Sequence, residues 1–365
     1  THDHFGPSSH QHHGLYAALV VEPTNSKWTF LDGKAMGGAD KDGKPARLRA
    51  DGGPTAYAAN VTVYKDGVPC IDKDSNNLHC NSKNSEIGEI DTERTAREFN
   101  LAFADFAIVY DKHNRPINPP NRIDHDLPLS TLGGSIPTPE AISASDPGTQ
   151  LINYRNEPIP LRIAERDKNG FASRQRAGAR GDMANVFSSA IHADQGKQGI
   201  FKKRKGESKH AELFTERLDQ GLRKPGDPAT PLLLAYAGDR VQIRLIQGAQ
   251  EENHTFNMHG VKWLSQPNSP NSGYLNGQPI GISEHFEFNM NLDTDDPKRN
   301  NDYLYSSWAV DNLWDGQWGI LRSYGWSSEK KNLKRLLSNP LRTHATASAP
   351  SVCPAGSPLR KIDVV

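Results

Sequence analysis

Five of the first thirteen residues are histidine, in the stretch "THDHFGPSSHQHHGLYAALVVEP". His2 and His4 are one residue apart, so on an extended chain both imidazoles leave the same face. Imidazole nitrogen suits transition metals, and a pair aimed one way is a chelating arrangement. His10 stands four residues before Gly14, where an apolar run begins, while His12 and His13 read as ordinary loop residues. A second group, His254 and His259, lies in "HTFNMHGVKW". Set on a strand, these two are either metal ligands or buried, hydrogen-bonded histidines held by packing.

The remaining reactive or charged groups leave alternatives open. Cys70 and Cys80 bracket a polar, turn-rich loop, "GVPCIDKDSNNLHC". A disulfide closing it, in an oxidising compartment, is the first reading. Two free thiols, or a metal site using His79, are the others. Cys353 has no evident partner. The acidic stretches "EIGEIDTERTAREF" and "NLDTDDPK" are hard-cation sites for an ion such as Mn²⁺, or solvated loops. The basic run "FKKRKGESKH" is a solvated surface, or a docking patch for an anionic partner.

These groups must be positioned by strands. Only 35% of the 365 residues are apolar, mean hydropathy is −0.70, and 31 Gly and 25 Pro punctuate the chain. That composition predicts short strands joined by turn-rich loops. With 43 basic and 43 acidic residues nothing points to a nucleic-acid partner, and no apolar run is long enough for a membrane span. "GLYAALVV" (14–21) predicts a buried strand ended by Pro23. "AYAANVTVYKDG", "REFNLAFADFAIVYD" and "INYRNEPIPLRI" predict further strands, and 228–325 has the strand density of a Greek-key sandwich. Both ends of the chain fall inside apparent motifs, so it reads as an internal piece of a longer polypeptide.

The chain resembles the multicopper oxidases, in particular large multi-domain bacterial members that include manganese-oxidising ones. In that family a copper-bearing segment reads His-x-His, a short gap, a His or Gln, three residues, then Gly and an apolar strand. His2-Asp3-His4, His10 and Gly14 follow it, with a gap two residues longer than usual. A Cys between the two histidines would bind the electron-accepting blue copper. Asp3 stands there, so the resemblance implies that His2 and His4 serve the oxygen-reducing trinuclear (type 2/type 3) cluster. His254-x-x-Asn257-x-His259-Gly260 is similar to the family's His-x-x-His-x-His-Gly with one ligand missing. Aligning Gly316 with Gly14 sets Asn312 at the place of His10 and Ser306 at that of His4, and no Cys or His occurs in 303–325. Trp308, Trp314 and Trp318 are expected to fill the vacated space.

The resemblance implies an all-β fold of cupredoxin-like Greek-key β-sandwich domains with long loop insertions. Residues 1–23 would close a preceding domain, and 24–95 would be an insertion or linker with a short β segment. Residues 96–326 would form a second, copper-depleted domain interrupted at about 112–225. A linker at 327–350 and the start of a further domain at 351–365 complete the division. The implied activity is one-electron oxidation of a substrate (Mn(II), another metal ion or a phenol) coupled to reduction of O₂ to water. Copper would be bound by His2, His4, His10, His254 and His259, shared with cupredoxin domains outside this sequence, in a secreted, periplasmic or cell-surface protein. The alternatives are a metal-free structural cupredoxin module and a copper-binding or resistance protein.

Overall fold

The computed structural model describes residues 2–4, 10–11, 14–23, 25–34, 57–65, 89–107, 149–155, 157, 159, 187, 189–191, 227–228, 230–248, 252–293, 297–314 and 316–341. Cys70, Cys80, Cys353, His12, His13, the basic run and 351–365 lie outside the described residues.

Alternation of apolar and polar residues drives the main strands. In β6 (Arg240–Gln247) Val241, Ile243 and Leu245 point inward while Arg240, Gln242 and Arg244 point out. β11 (His285–Asn291) repeats the pattern with Phe288 and Met290. β3 (Ala96–Ala107) buries Phe99, Leu101 and Phe103 in the same phase. With β1 (Ser26–Thr29), β2 (Ala58–Val63) and β4 (Thr149–Ile152) these strands build one sheet, ordered β1-β2-β3-β6-β11 with β4 also on β3. The stretch 24–95, read from sequence as an insertion or linker with a short β segment, contributes two strands to the sheet.

The facing sheet runs β10-β7-β12-β13-β5. Its strands are β5 (Leu233–Tyr236), β7 (His254–Met258), β10 (Gly277–Ile280), β12 (Asn301–Ser307) and β13 (Trp318–Tyr324). β8 (Trp263–Leu264) and β9 (Tyr274–Leu275) form a small ribbon, and a short helix, α1 (Val310–Trp314), follows β12. β3 pairs with β6 in parallel and β13 with β5 in parallel, all other ladders being antiparallel. Neighbours distant in sequence and mixed pairing are consistent with a cupredoxin-like Greek-key sandwich, and the all-β expectation holds. Between the sheets Phe256 stacks on Phe288 at 5.0 Å, beside Trp263 and Tyr305.

Two expectations give way. "GLYAALVV" is not a buried strand: its one β-bridge joins Tyr16 to His2, and Leu15, Leu19 and Val21 are exposed, Leu19 at 86%. An apolar run becomes a strand only where a neighbouring strand takes up its N–H and C=O groups, and 17–22 has no such ladder among the described residues. Residues 327–341, read as linker, pack on the sandwich. Leu333, Leu336 and Asn339 are buried, and the wholly buried Arg97 holds Asp239 (2.6 Å), Asn60 (2.6 Å) and the Lys334 carbonyl (2.7 Å). Asn339 donates to the other oxygen of Asp239 at 2.7 Å, completing the charge pair's hydrogen bonds.

Candidate metal centre

The histidine segment folds as a hairpin with a turn. His2 bridges Tyr16, the Asp3 N–H donates to the Leu15 carbonyl (3.0 Å), and the Leu15 N–H donates to the His10 carbonyl (3.1 Å). The turn closes at Gly14, whose φ of +93° favours glycine. A Cβ there would meet the Tyr154 hydroxyl at 2.9 Å.

Side chains fix the imidazoles. The rings of His2 and His4 lie 5.5 Å apart between centroids. Gln11, buried, donates through Nε2 to the Gly248 carbonyl at 3.1 Å, which turns its Oε1 toward His2 Nδ1, also at 3.1 Å. His2 Nδ1 therefore carries the proton, and Nε2 accepts from the Ser283 hydroxyl at 2.9 Å. His10 pairs with Asp3 at 3.1 Å and remains half-exposed. Tyr16 anchors the segment, its ring stacking on Tyr154 at 5.8 Å and filling the space above Gly248 that a Cβ would occupy. Burial pushes the Tyr16 hydroxyl well above the usual phenol range.

The same construction recurs at the other end of the domain. Gly316 has φ of +107°. Gly14 N–H to Gln11, Leu15 N–H to His10 and Tyr16 N–H to Gly14 are repeated as Gly316 N–H to Leu313, Gln317 N–H to Asn312 and Trp318 N–H to Gly316. The strand part repeats with a two-residue shift: His2 opposite Tyr16 becomes Ser306 opposite Trp318, and Asp3 N–H to Leu15 becomes Ser307 N–H to Gln317. Even the side-chain contact is kept, His10 with Asp3 becoming Asn312 with Ser307 at 3.2 Å. Ser306 thus stands at the place of His2, not of His4 as counting back from the glycine predicts. The longer gap after His4 is absorbed in the loop and leaves the ladder in register. Ser307 corresponds to Asp3 and Trp308 to His4.

In the second copy the interior pocket is filled by hydrogen bonds. His254, buried at the start of β7, faces Asn312 through Nδ1 at 2.7 Å, and Asn312 also donates to Ser307. The Nε2 of His254 is 3.8 Å from Asp105 and has no hydrogen-bond partner among the described residues. Burial lowers the imidazole to about 4, so it is neutral at pH 7. His259 lies in the exposed turn after β7, and its N–H donates to the Leu304 carbonyl. Trp318 is buried, with its indole donating to the Glu157 carbonyl at 2.7 Å, but Trp308 is 76% exposed and fills nothing. A residue at the His4 position points away from the interior, which is why a tryptophan there cannot replace lost ligands. The side chain of Trp314 lies outside the description.

The structure therefore brings His2 together with His4, and His10 with Asp3, and holds His254 apart from His259. Among the described residues no group of three or more His, Cys, Asp or Glu side chains is arranged to hold a metal ion.

The wider comparisons are sparse. No protein-family model and no curated protein sequence matches this chain. Solved structures similar to it include a multicopper oxidase, at 11% identity and a TM-score of 0.22 over 26% of this chain and 35% of that one. A variant of the McoA multicopper oxidase from Aquifex aeolicus gives 13% identity and a TM-score of 0.24 over 29% and 23%. A copper-containing nitrite reductase from Thermus scotoductus gives 17% and 0.22 over 28% and 23%. The match spans about a third or less of each of those chains.

Sequence reasoning passed over Asp105, Gln11 and Ser283. Asp105 carried a signal: it holds the fourth place in the inward series Phe99, Leu101, Phe103, where a core residue belongs. Gln11 and Ser283 carried none, because each acts across more than two hundred residues of sequence.

Proposed function

We propose that this chain is part of a multicopper oxidase in which the first hairpin supplies copper ligands and the domain behind it has given up its own copper. The observation that carries this reading is the duplicated turn. One copy presents His2, His4 and His10 around Asp3, and the other presents Ser306, Trp308 and Asn312 around Ser307.

The donor chemistry differs between the copies. His2 and His4 fit copper, as adjacent imidazoles of which His2 has its proton fixed on Nδ1 and its Nε2 lone pair outward at Ser283. The second pocket does not fit it, since His254, Asn312 and Ser307 are spent on one another and lack a thiolate. Copper held by His2 and His4, with ligands from cupredoxin domains beyond this sequence, would supply the reduction of O₂ to water. In that setting this chain's residues orient the ligands: Gln11 selects the His2 tautomer, Tyr16 and Gly248 hold the hairpin on the sandwich, and Asp3 steers His10. The reducing substrate is a one-electron donor, with Mn(II), another metal ion and a phenol as its classes. A secreted, periplasmic or cell-surface location goes with this reading. Among the described residues no helix is long and apolar enough to cross a membrane.

The test is copper content, spin-resonance spectrum and oxygen consumption of the whole polypeptide, native and with His2→Ala and His4→Ala. Loss of copper and oxygen uptake in the double variant is expected. A whole protein that holds the same copper in both forms overturns the proposal. The filled pocket favours a second reading, a metal-free structural module. It predicts no bound copper in either form and unchanged assembly of the variant.

A further inference from the structure

The segment carrying the histidines continues over the outer face of the first sheet, and its last anchor is a charge cluster with too few positive charges. Glu22 reaches Arg244 on β6 at 2.5 Å, and the same guanidinium meets Glu98 on β3 at 3.1 Å and Glu287 on β11. Three carboxylates thus converge on one arginine. Arg94, Arg240 and His285 line the surrounding cleft of about 440 Å³, with Arg94 taken by Asp91 at 2.6 Å. Glu22 and Glu98 are largely withdrawn from solvent, at 9% and 3% side-chain exposure. Upstream, Tyr16 and Val20 are partly buried, while Leu15, Leu19 and Val21 are exposed.

We infer that Glu22 and Glu98 form a proton-sharing latch, which holds residues 16–22 against the first sheet in acid and releases them when the shared proton is lost. With the proton present, the Glu22 carboxyl donates to the Glu98 carboxylate, leaving two negative charges around Arg244. Loss of the proton to solvent leaves three around one guanidinium, two of them in contact. Burial, and then Glu98 beside it, push the Glu22 carboxyl up to about 7. A carboxyl raised in the docked state favours docking at low pH, and that preference disappears as pH rises through 7. The histidine hairpin lies immediately upstream, so the latch makes its seating sensitive to pH near neutrality.

Chymotryptic cleavage after Tyr16 reads the released population, because the docked Tyr16 ring lies against Gly248 and Tyr154. Release of fragment 1–16 from the full chain is followed by mass spectrometry, with each rate divided by that of a free peptide of residues 10–23 at the same pH. The normalised rate should rise about tenfold or more from pH 5.5 to 8.5. Glu22→Gln, which cannot ionise, should be slow at every pH. A flat native profile overturns the latch. So does a Glu22→Gln protein that keeps the rise, or one cleaved fast throughout, which would mean that the ion pair to Arg244 alone does the holding.

Discussion

Ser307 stands where the first copy has Asp3, and nothing in the spelling of either segment says so. Counting from the shared glycine gives Tyr305 as the residue between the two ligand positions, because the loop after His4 is two residues longer. The ladder gives Ser307, whose hydroxyl accepts from Asn312, the residue that also bonds His254. Ser307→Cys with Asn312→His should therefore restore a mononuclear site with His254. Added Cu(II) should then give the intense visible absorption of a thiolate–copper bond. Tyr305→Cys with Asn312→His should give no such band. It should also lose about 3 kcal/mol in urea denaturation, since Tyr305 is wholly buried and bonds the Pro231 carbonyl at 2.5 Å. Asn312→Ala alone leaves a buried imidazole nitrogen unpaired and should cost about 1–3 kcal/mol in the same measurement.

At the scale of elements, the duplicated turn separates two roles for one motif. In the second copy it joins β12 to β13 in the middle of a sheet, and in the first it is a hairpin laid on the sandwich from outside. Gly316→Ala places a side chain at positive φ inside the cooperative core and should lower unfolding free energy by about 1–2 kcal/mol. Gly14→Ala meets the Tyr154 hydroxyl as well. Because its segment can leave separately, cleavage after Tyr16 should quicken. The long strands were legible for the same reason that they are stable. β6, β7 and β11 alternate cleanly, as does β3 over 99–103, and alternation is both the signal and the packing. β8, β9 and β10 were missed because two to four residues without alternation carry no period. The run 14–21 was misread because apolarity reports a wish for burial and says nothing of whether a partner strand is present. Of the site, the histidine spacing was legible, while the contacts that orient it, through Gln11, Ser283 and Gly248, are made by the fold alone.

For the molecule as a whole, two buried titratable groups oppose each other in mild acid. His254, lowered to about 4 by burial, takes up a proton near 6.5 once the chain unfolds. Between these values the unfolded state binds more protons, so stability present above pH 6.5 is lost as pH falls toward 4. The full span corresponds to about 3 kcal/mol, because burial is what lowers the imidazole. Glu22 has the reverse sign. Its carboxyl is raised to about 7 in the native state, so between about 4.3 and 7 the folded protein binds the extra proton and acid stabilises it. The two effects overlap between about pH 4.3 and 6.5 and nearly cancel, so the urea midpoint of the native protein should change little from pH 7 to 5. Removing Glu22's contribution with Glu22→Gln should expose a fall. Replacing His254 by Asn should instead make the midpoint rise on acidification while Glu22 remains. Parallel profiles in all three proteins would mean that neither group governs acid stability.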